Sequence, residues 1–381
     1  MNTKNLNLTE QQAEKLAAFK AFSDEHLAPR ADEFDRNETL PRNLVSEMVQ
    51  AGCWGGEIPQ AYSGIGMDAV TYGLLNEEIG RGCANTRNLI GVQGMVSSAI
   101  LRWGSKEQKA QWLPKMAAGE TVVAFALTEP EIGSDAKNIN TSAALDNGEY
   151  VLNGHKKWIS FGQNADLFLL LAQCDGRVTA FLVERERPGF STTPINGLLG
   201  FRGSMLAELH LENCRVPAEN IVGRVGLGLT HVAGYGLSHG RYSTAWGCVG
   251  LAQAALEASL RYTSTRRQFD AYLKEHQLIQ GLIADMAADV TAARLLCLRA
   301  AEMVEANGLG MVTEMVGMAK YFASKVAFRA ANDAVQLHGA NGCGPDYPVQ
   351  RYLRDAKIAE IVEGSSQIQQ LIIAKYAYRG V

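Results

Sequence analysis

Long apolar runs are missing from this chain of 381 residues. A run such as Leu167–Ala172, closed in by Asp166 and Gln173, falls far short of the about 20 residues that a membrane helix needs. The N-terminus, MNTKNLNLTEQQ, has no apolar core of the kind a secretory signal requires. No membrane segment is expected. Charge of one sign is also scarce. There are 36 Lys and Arg against 40 Asp and Glu, a net charge of −4. Such a chain has no global attraction to a phosphate backbone, so nucleic acid is not an expected partner. None of the seven cysteines (Cys53, Cys83, Cys174, Cys214, Cys248, Cys297, Cys343) forms a CxxC pair, and their number is odd. That excludes a disulfide framework or a cysteine zinc site, and suggests buried free thiols in a reducing cytoplasm. The seven histidines are scattered without an HxxxH pair, so no metal is expected. There is no GxxxxGK[ST] loop and no HExxH. The nearest approach to GxGxxG, at Gly234-Tyr235-Gly236, meets His239 where the last glycine belongs. A nicotinamide-binding Rossmann unit is therefore not expected.

What is present is a hydrophobic content of 47% with 20% charged residues, the balance of a folded globular protein. At roughly 150 residues per domain the length suggests two or three domains. Residues 1–121 read as helical. One helix is expected over 9–27, opening at Thr9 with Glu and Gln behind it and ending at Pro29. Others are expected over 42–51, 68–81 and 92–103, around the loop GCWGGEIPQAYSGIG. From Thr121 the pattern changes. Short runs rich in β-branched and aromatic residues follow at Val122–Leu127, Glu149–Leu152, Lys157–Phe161, Leu167–Ala172, Val178–Val183 and Ala207–Leu211. Strand follows strand with no helix between, which points to an antiparallel sheet or barrel over 122–230. From 231 to 381 long helices return, over 241–265, 276–307, 312–338 and from about Ser366. Leu278, Leu282, Met286 and Val290 recur every four residues and read as one apolar face of a four-helix bundle. The fold class is thus α+β multidomain: a helical N-terminal domain, a central antiparallel β-domain and a C-terminal four-helix bundle.

One hydrolase pattern occurs. Gly236-Leu237-Ser238-His239-Gly240 reads GxSxG, with Asp333 and His338 behind it. A nucleophile elbow needs a buried strand before the serine, and residues 226–235 do not read as one. The match is taken as coincidence.

Four other segments carry polar chemistry. The loop Phe125-Ala126-Leu127-Thr128-Glu129-Pro130-Glu131-Ile132-Gly133-Ser134-Asp135 follows a strand and can offer backbone N–H groups and hydroxyls to a polar ring. Lys156-Lys157-Trp158-Ile159-Ser160 puts an indole where it could wall a flat aromatic group. Arg266-Arg267-Gln268-Phe269 ends a bundle helix, suiting either the helix dipole or a diphosphate. In Ile361-Val362-Glu363-Gly364-Ser365-Ser366, apolar neighbours can desolvate Glu363 and raise its pKa toward that of a base working near neutrality. Gly364 permits close approach to the backbone, and Ser365 or Ser366 can cap the last helix.

Together, in this order, these segments resemble the acyl-CoA dehydrogenase family over nearly the whole chain. The likeness is strongest at Leu127–Asp135, Lys156–Ser160, Arg266–Phe269, Gln336–Gly342 and Arg354–Gln369. It implies FAD bound between β-domain and bundle, and α,β-dehydrogenation of an acyl thioester. The α-proton goes to a glutamate and hydride goes from the β-carbon to flavin N5. It makes Glu363 the base. Some relatives carry the base just before the arginine that opens the first bundle helix; here that place is Gly240, which cannot serve. Arg241 would sit beside thioester and base, Gly364 N–H would polarise the thioester carbonyl, and Ser134 would touch substrate. Phe125, Leu127, Thr128, Gly133 and Ser134 would line the flavin, with Trp158 and Ser160 on its other side. Arg266, Phe269, Gln336, Gly339 and Ala340 would reach the FAD of a neighbouring subunit, while Ser365 and Gln367 would hold the adenine half. A homodimer or homotetramer is implied, with an electron-transfer flavoprotein or oxygen as acceptor. Some positions depart from the family pattern, among them Asp270, Ala340, Ser204-Met205-Leu206 and Ser238, the last where an acidic or amide residue often meets the pantetheine arm. Ser204–Leu209 and His338–Cys343 are similar to a branch from polyketide and nonribosomal-peptide pathways. That branch oxidises hydroxyacyl or aminoacyl units, of hydroxymalonyl or aminomalonyl type, on an acyl carrier protein.

Overall fold

A computed structural model describes residues 7–380; the first six residues of the polar N-terminus and Val381 lie outside the described residues. Helices come first: α1 (Glu10–Phe22), α2 (Ala31–Asn37), α3 (Asn43–Gln50), α4 (Ala69–Gly82), α5 (Ala84–Trp103) and α6 (Lys106–Ala117). Thr9 caps α1 as expected. Its hydroxyl accepts from Gln12 N, and the Gln12 side chain accepts from Thr9 N. A π-turn over Ser23–Leu27 carries α1 onward. α5 begins well before residue 92. Its first turns hold Asn85, Thr86, Arg87 and Asn88, all buried, so the polar residues hide the apolar period there. α2 and α6 were not anticipated. α6 is polar on average and contains Pro114, yet Ser105 and Gln108 form a capping box at its start.

The strands are β1 (Val123–Ala126), β2 (Ser142–Asp146), β3 (Glu149–Ile159), β4 (Leu167–Cys174), β5 (Arg177–Glu184), β6 (Phe190–Pro194), β7 (Ala207–Pro217) and β8 (Ile221–Val222). They form one sheet in the order β6-β7-β3-β2-β4-β5-β8, with β1 beside β4. The sheet is mixed, not purely antiparallel. β1 and β2 both run parallel to β4. The reason is connectivity: the β2–β3 hairpin lies between β1 and β4 in the chain, and such an excursion allows the parallel pairing that a tight turn forbids. The two runs expected at 149–152 and 157–161 are one strand, β3, broken by register shifts at Leu152/Gly154 and Lys156/Ile159. β7 alternates as anticipated, with Leu209 and Leu211 buried and Glu208 and His210 partly open.

The helical C-terminal region contains α7 (Gly234–Thr265), a small hairpin of β9 (Arg267–Gln268) and β10 (Ala271–Tyr272), α8 (Gln277–Asn307), α9 (Thr313–His338), α10 (Val349–Ala359) and α11 (Ser366–Ala377). α7, α8 and α9 pack on one another, α10 on α7 and α9, and α11 on α9. The apolar face of α8 is only partly covered: Met286 and Val290 are buried, Leu282 is half-buried and Leu278 is 87% exposed.

One polar cluster joins all three regions. Arg354 on α10 makes a two-pronged pair with Asp35 on α2, at 3.0 and 2.6 Å, and also donates to Leu199 O from the β-domain. Beside it Arg351 donates to Asp32, and Asp355 accepts from Phe201 N at 2.8 Å. Removing one partner of a buried pair strands the other without water. Arg354→Leu should therefore lower stability by about 3 kcal/mol, read from denaturant unfolding; a change under about 0.5 kcal/mol would show that the clamp does not hold the regions together.

Candidate active site

Glu363 and Gly364 lie in the loop between α10 and α11, both in the left-handed region with φ of 58° and 84°. Three buried side chains hold that loop by its carbonyls. Arg241 Nε donates to Glu363 O at 3.1 Å, Gln369 Nε2 donates to Glu363 O and Gly364 O at 3.1 Å each, and Lys320 Nζ donates to Gly364 O at 3.0 Å. A Cβ at position 364 would stand 2.7 Å from Gln369 Nε2 and carry the penalty of positive φ, so glycine is required. Ser365 caps α11 by accepting from Ile368 N. With both carbonyls engaged, the Gly364 N–H makes no hydrogen bond among the described residues.

The Glu363 side chain turns toward α7. Gly240 makes room for it, since any Cβ there would collide with Glu363 Oε2 and would lie 2.8 Å from Met95 Sδ. Glu363 Oε2 is buried and has no hydrogen-bond partner. Burial pushes this carboxyl up to about 7, against the pull of Arg241, Arg87 and Lys320. Arg87 and Lys320 were not singled out from the sequence. Both are buried cations on helices remote in sequence, and nothing in a linear pattern ties them to residue 363.

The second part of the site is the junction of β1 and β3. Lys157 N donates to Thr128 O at 2.9 Å, joining the loop after β1 to the bulge of β3. In that bulge Trp158 has φ 62° and is 48% exposed. A bulge re-aims a side chain in this way. Ser160 accepts from Asn88 Nδ2 at 3.3 Å. Leu127 is buried, Phe125 half-buried against α7 near Gly236, and Gly133 and Ser134 lie in an exposed turn with open space around Gly133. Beneath the loop, Lys156 is fully buried and donates to Leu127 O at 3.0 Å and Glu129 Oε1 at 2.8 Å. Burial lowers the Lys156 ammonium to about 8 despite Glu129. Burial also acts to raise the Glu129 carboxyl, but Lys156 and Thr141 outweigh it and hold it below the usual carboxylate range. The pair is charged at neutral pH.

Ser365 and Gln367 border a small cavity of about 200 Å³ shared with Lys325 and Lys357. Arg266, Phe269, Gln336, Gly339 and Ala340 are all exposed and gather at the other end of the bundle. There Tyr262 OH donates to His338 O, joining the ends of α7 and α9. Along α7 that end is roughly 39 Å from Gly240, at about 1.5 Å per residue. These five residues cannot share a site with Glu363 of the same chain.

The GxSxG serine lies inside α7, where Ser238 Oγ donates to Gly234 O at 2.9 Å, so there is no nucleophile elbow. The histidines are less dispersed than the sequence suggests. The β3–β7 register sets His155 opposite His210, and with Glu208 they bring three ligand-type atoms within 4.8 Å of one another. Lys157 Nζ already pairs with Glu208 at 2.9 Å. Among the described residues no helix is long and apolar enough to cross a membrane.

Three family models match in succession: the acyl-CoA dehydrogenase N-terminal domain over residues 9–120, the middle domain over 124–214 and the C-terminal domain over 228–378. The chain belongs to the acyl-CoA dehydrogenase family. An acyl-CoA dehydrogenase of Bacillus subtilis is 39% identical, covering 98% of this chain and 100% of its own length. Glutaryl-CoA dehydrogenase from Mycobacterium smegmatis, solved in complex with FADH2, superposes with a TM-score of 0.93 at 32% identity, covering 98% of this chain and 96% of that one. The prolyl acyl carrier protein oxidase AnaB superposes with a TM-score of 0.91 at 28% identity, covering 97% and 99%. As an acyl-CoA dehydrogenase the protein is a flavin enzyme with FAD as its cofactor. The residues present fit that group. Lys157 N ties the Thr128 loop to the strand that carries half-exposed Trp158 and Ser160, Lys157 Nζ lies over the indole at 5.1 Å, and the turn at Gly133-Ser134 is open.

Two outcomes follow. Because the folded pKa of Glu363 lies above its ordinary 4.5, the folded state keeps an extra proton between pH 4.5 and about 7, and stability falls as pH rises through that window. Glu363→Gln should therefore unfold at higher denaturant than the parent at pH 8, by up to about 3 kcal/mol, and at the same denaturant at pH 4. Equal stability at both pH values would contradict the dry carboxylate. Lys156→Met should leave Glu129 buried and unpaired, costing about 3–5 kcal/mol and loosening the Leu127–Glu129 loop; retained FAD on gel filtration together with unchanged melting would show that the loop does not depend on the pair.

Proposed function

We propose that this acyl-CoA dehydrogenase removes the α-proton of an acyl thioester with Glu363, the thioester carbonyl being held by the Gly364 N–H. The observation that carries this reading is the unpartnered, buried Oε2 of Glu363, one residue from a free backbone N–H. A carboxylate with one oxygen buried and unpartnered is a stronger base, and its pKa near 7 matches the working pH. A backbone N–H aimed at the carbonyl oxygen stabilises the charge that builds there as the α-carbon is deprotonated. Arg241, donating to Glu363 O, fixes the base and keeps a positive charge close by. Thr128, Trp158 and Ser160, with Phe125, Leu127, Gly133 and Ser134, would hold the flavin ring, and Ser365 and Gln367 the adenine half. Bound FAD supplies the acceptor for the two electrons that leave the substrate. Arg266, Phe269, Gln336, Gly339 and Ala340 would meet the cofactor of a second subunit, which makes the working unit a homodimer or homotetramer. An electron-transfer flavoprotein or oxygen would then reoxidise the flavin.

A second reading keeps the base and cofactor and changes the carrier. The likeness to AnaB favours an acyl group delivered on a carrier protein. Ser238, turned inward onto Gly234 O, offers no side chain to a pantetheine arm.

Glu363→Gln should retain yellow, FAD-loaded protein while kcat falls about 10³-fold or more. In the parent, kcat/KM should rise with pH and level off above about 7, because the ionised form is the active one. A Glu363→Gln enzyme with parental kcat would refute the assignment. Comparing turnover of the same acyl group on CoA and on a carrier protein separates the two readings.

A further inference from the structure

The β3–β7 register sets His155 opposite His210, with both side chains on one face of the sheet. Lys157, two residues along β3, and Glu208, two residues before His210, share that face. The alternate residues Lys156, Leu209 and Leu211 are buried beneath, whereas these four are half-buried. The two imidazoles stack at 4.5 Å with 24° between their planes. His155 Nε2 lies 2.7 Å from Glu208 Oε2, and Oε1 accepts from Lys157 Nζ at 2.9 Å. His210 Nε2 meets Thr193 Oγ1 of β6 at 3.3 Å. Two imidazoles and a carboxylate thus bring ligand atoms within 4.8 Å of one another, and no second trio of His, Cys, Asp or Glu side chains does so among the described residues.

A surface ion pair accounts for Glu208 and Lys157, and a hydrogen bond for His155, but neither calls for a second imidazole on the same carboxylate. The Lys157 hydrogen bond holds the Glu208 carboxyl below its usual range. An ionised carboxylate only accepts, so the proton of the 2.7 Å contact sits on His155 Nε2. A divalent ion would take the place of that proton. His155 and His210 would each give a neutral ring nitrogen, Glu208 would give Oε2, and one proton would leave to water. Zinc bonds of about 2.0–2.1 Å put tetrahedral ligands about 3.3 Å apart. The His155–Glu208 contact then opens slightly, and His210 closes by turning about χ2, a soft torsion for an imidazole. Lys157 on Oε1 and Thr193 on His210 are the kind of outer partners that orient metal ligands. All three ligands ride on strands packed from below, which fixes their backbones before an ion arrives. Two nitrogens and one oxygen suit zinc over Mg²⁺ or Ca²⁺, which take oxygen ligands. Three protein ligands leave the fourth position to water.

We infer that His155, His210 and Glu208 bind one zinc-type dication per chain, at a site that does not depend on the role proposed for Glu363. No metal was expected from the sequence because residues 155 and 210 meet only through strand pairing. The pair lies just ahead of the register shift between Lys156 and Ile159. The ion would tie β3 to β7 on the near side of the bulge that carries Trp158.

The test is calorimetric titration of the FAD-loaded protein with zinc chloride, in buffer free of chelators and near neutral pH. One zinc should bind per chain, undisturbed by a large excess of Mg²⁺. His155→Ala and His210→Ala should each weaken binding by about 100-fold or more, and Glu208→Gln by about tenfold or more. Zinc should also raise the melting midpoint of the parent protein, and not that of the double histidine variant. FAD content equal to the parent's shows that a variant is folded. Where one is not, the parent alone decides: zinc should shield His155 and His210, but not exposed His26, from diethyl pyrocarbonate, read by mass spectrometry. No binding, displacement by Mg²⁺, binding kept in the double variant or parental affinity in any single variant would overturn the site. A midpoint unmoved at saturating zinc would overturn the tie between the strands.

Discussion

A carboxylate with one oxygen buried and touching no donor is the constraint to which the rest of this site answers. Left to itself Glu363 would turn to water or find a proton. Here its backbone is fixed from three directions, and burial raises its pKa to about 7. Arg241, Lys320 and Gln369 all hold carbonyls, not the carboxylate, so they position the loop without pairing with the Glu363 side chain. Their charges still matter at longer range. Arg241, Arg87 and Lys320 each favour the ionised form and keep burial from raising the pKa further. The balance leaves a group that can give up and take back a proton near neutrality.

The same division of labour recurs at the cofactor loop. Lys156 and Glu129 are buried beneath residues that must face outward, and they bond to backbone as well as to each other. Buried ion pairs contribute little net stability but are costly to break. That property suits a loop whose shape matters more than its strength. The clamp of Arg354 on Asp35 acts on a larger scale, because α10 leads directly into the Glu363 loop. The N-terminal helices thereby share in placing a residue more than three hundred positions away in sequence.

Much of this was legible in the sequence. The helix–strand–helix order, the capped start of α1 and the alternation of β7 follow from local pattern and turn chemistry, whereas the role expected of Glu363 and Gly364 came from the family likeness. What was missed shares a physical cause. α5 was read short because buried Asn85, Arg87 and Asn88 interrupt its apolar period. β2 and β6 are open to solvent and carry no strong alternation. The parallel pairing of β1 with β4 depends on a crossover that no short window contains. Arg87 and Lys320 acquire meaning only when helices pack. The family likeness supplied expected roles for many exposed residues, such as Phe269 and Gln336, on which a single chain gives no contact to judge.

Gly240 has a consequence for how such a site can change. The space its missing Cβ leaves is the space that Glu363 Oε2 occupies. Side chains at 240 and 363 therefore compete for one volume. A glutamate introduced at 240 alone would meet the one already at 363. On the proposed role of Glu363, moving the base from the loop before α11 to α7 would require both substitutions together, because a single side chain fills the shared space.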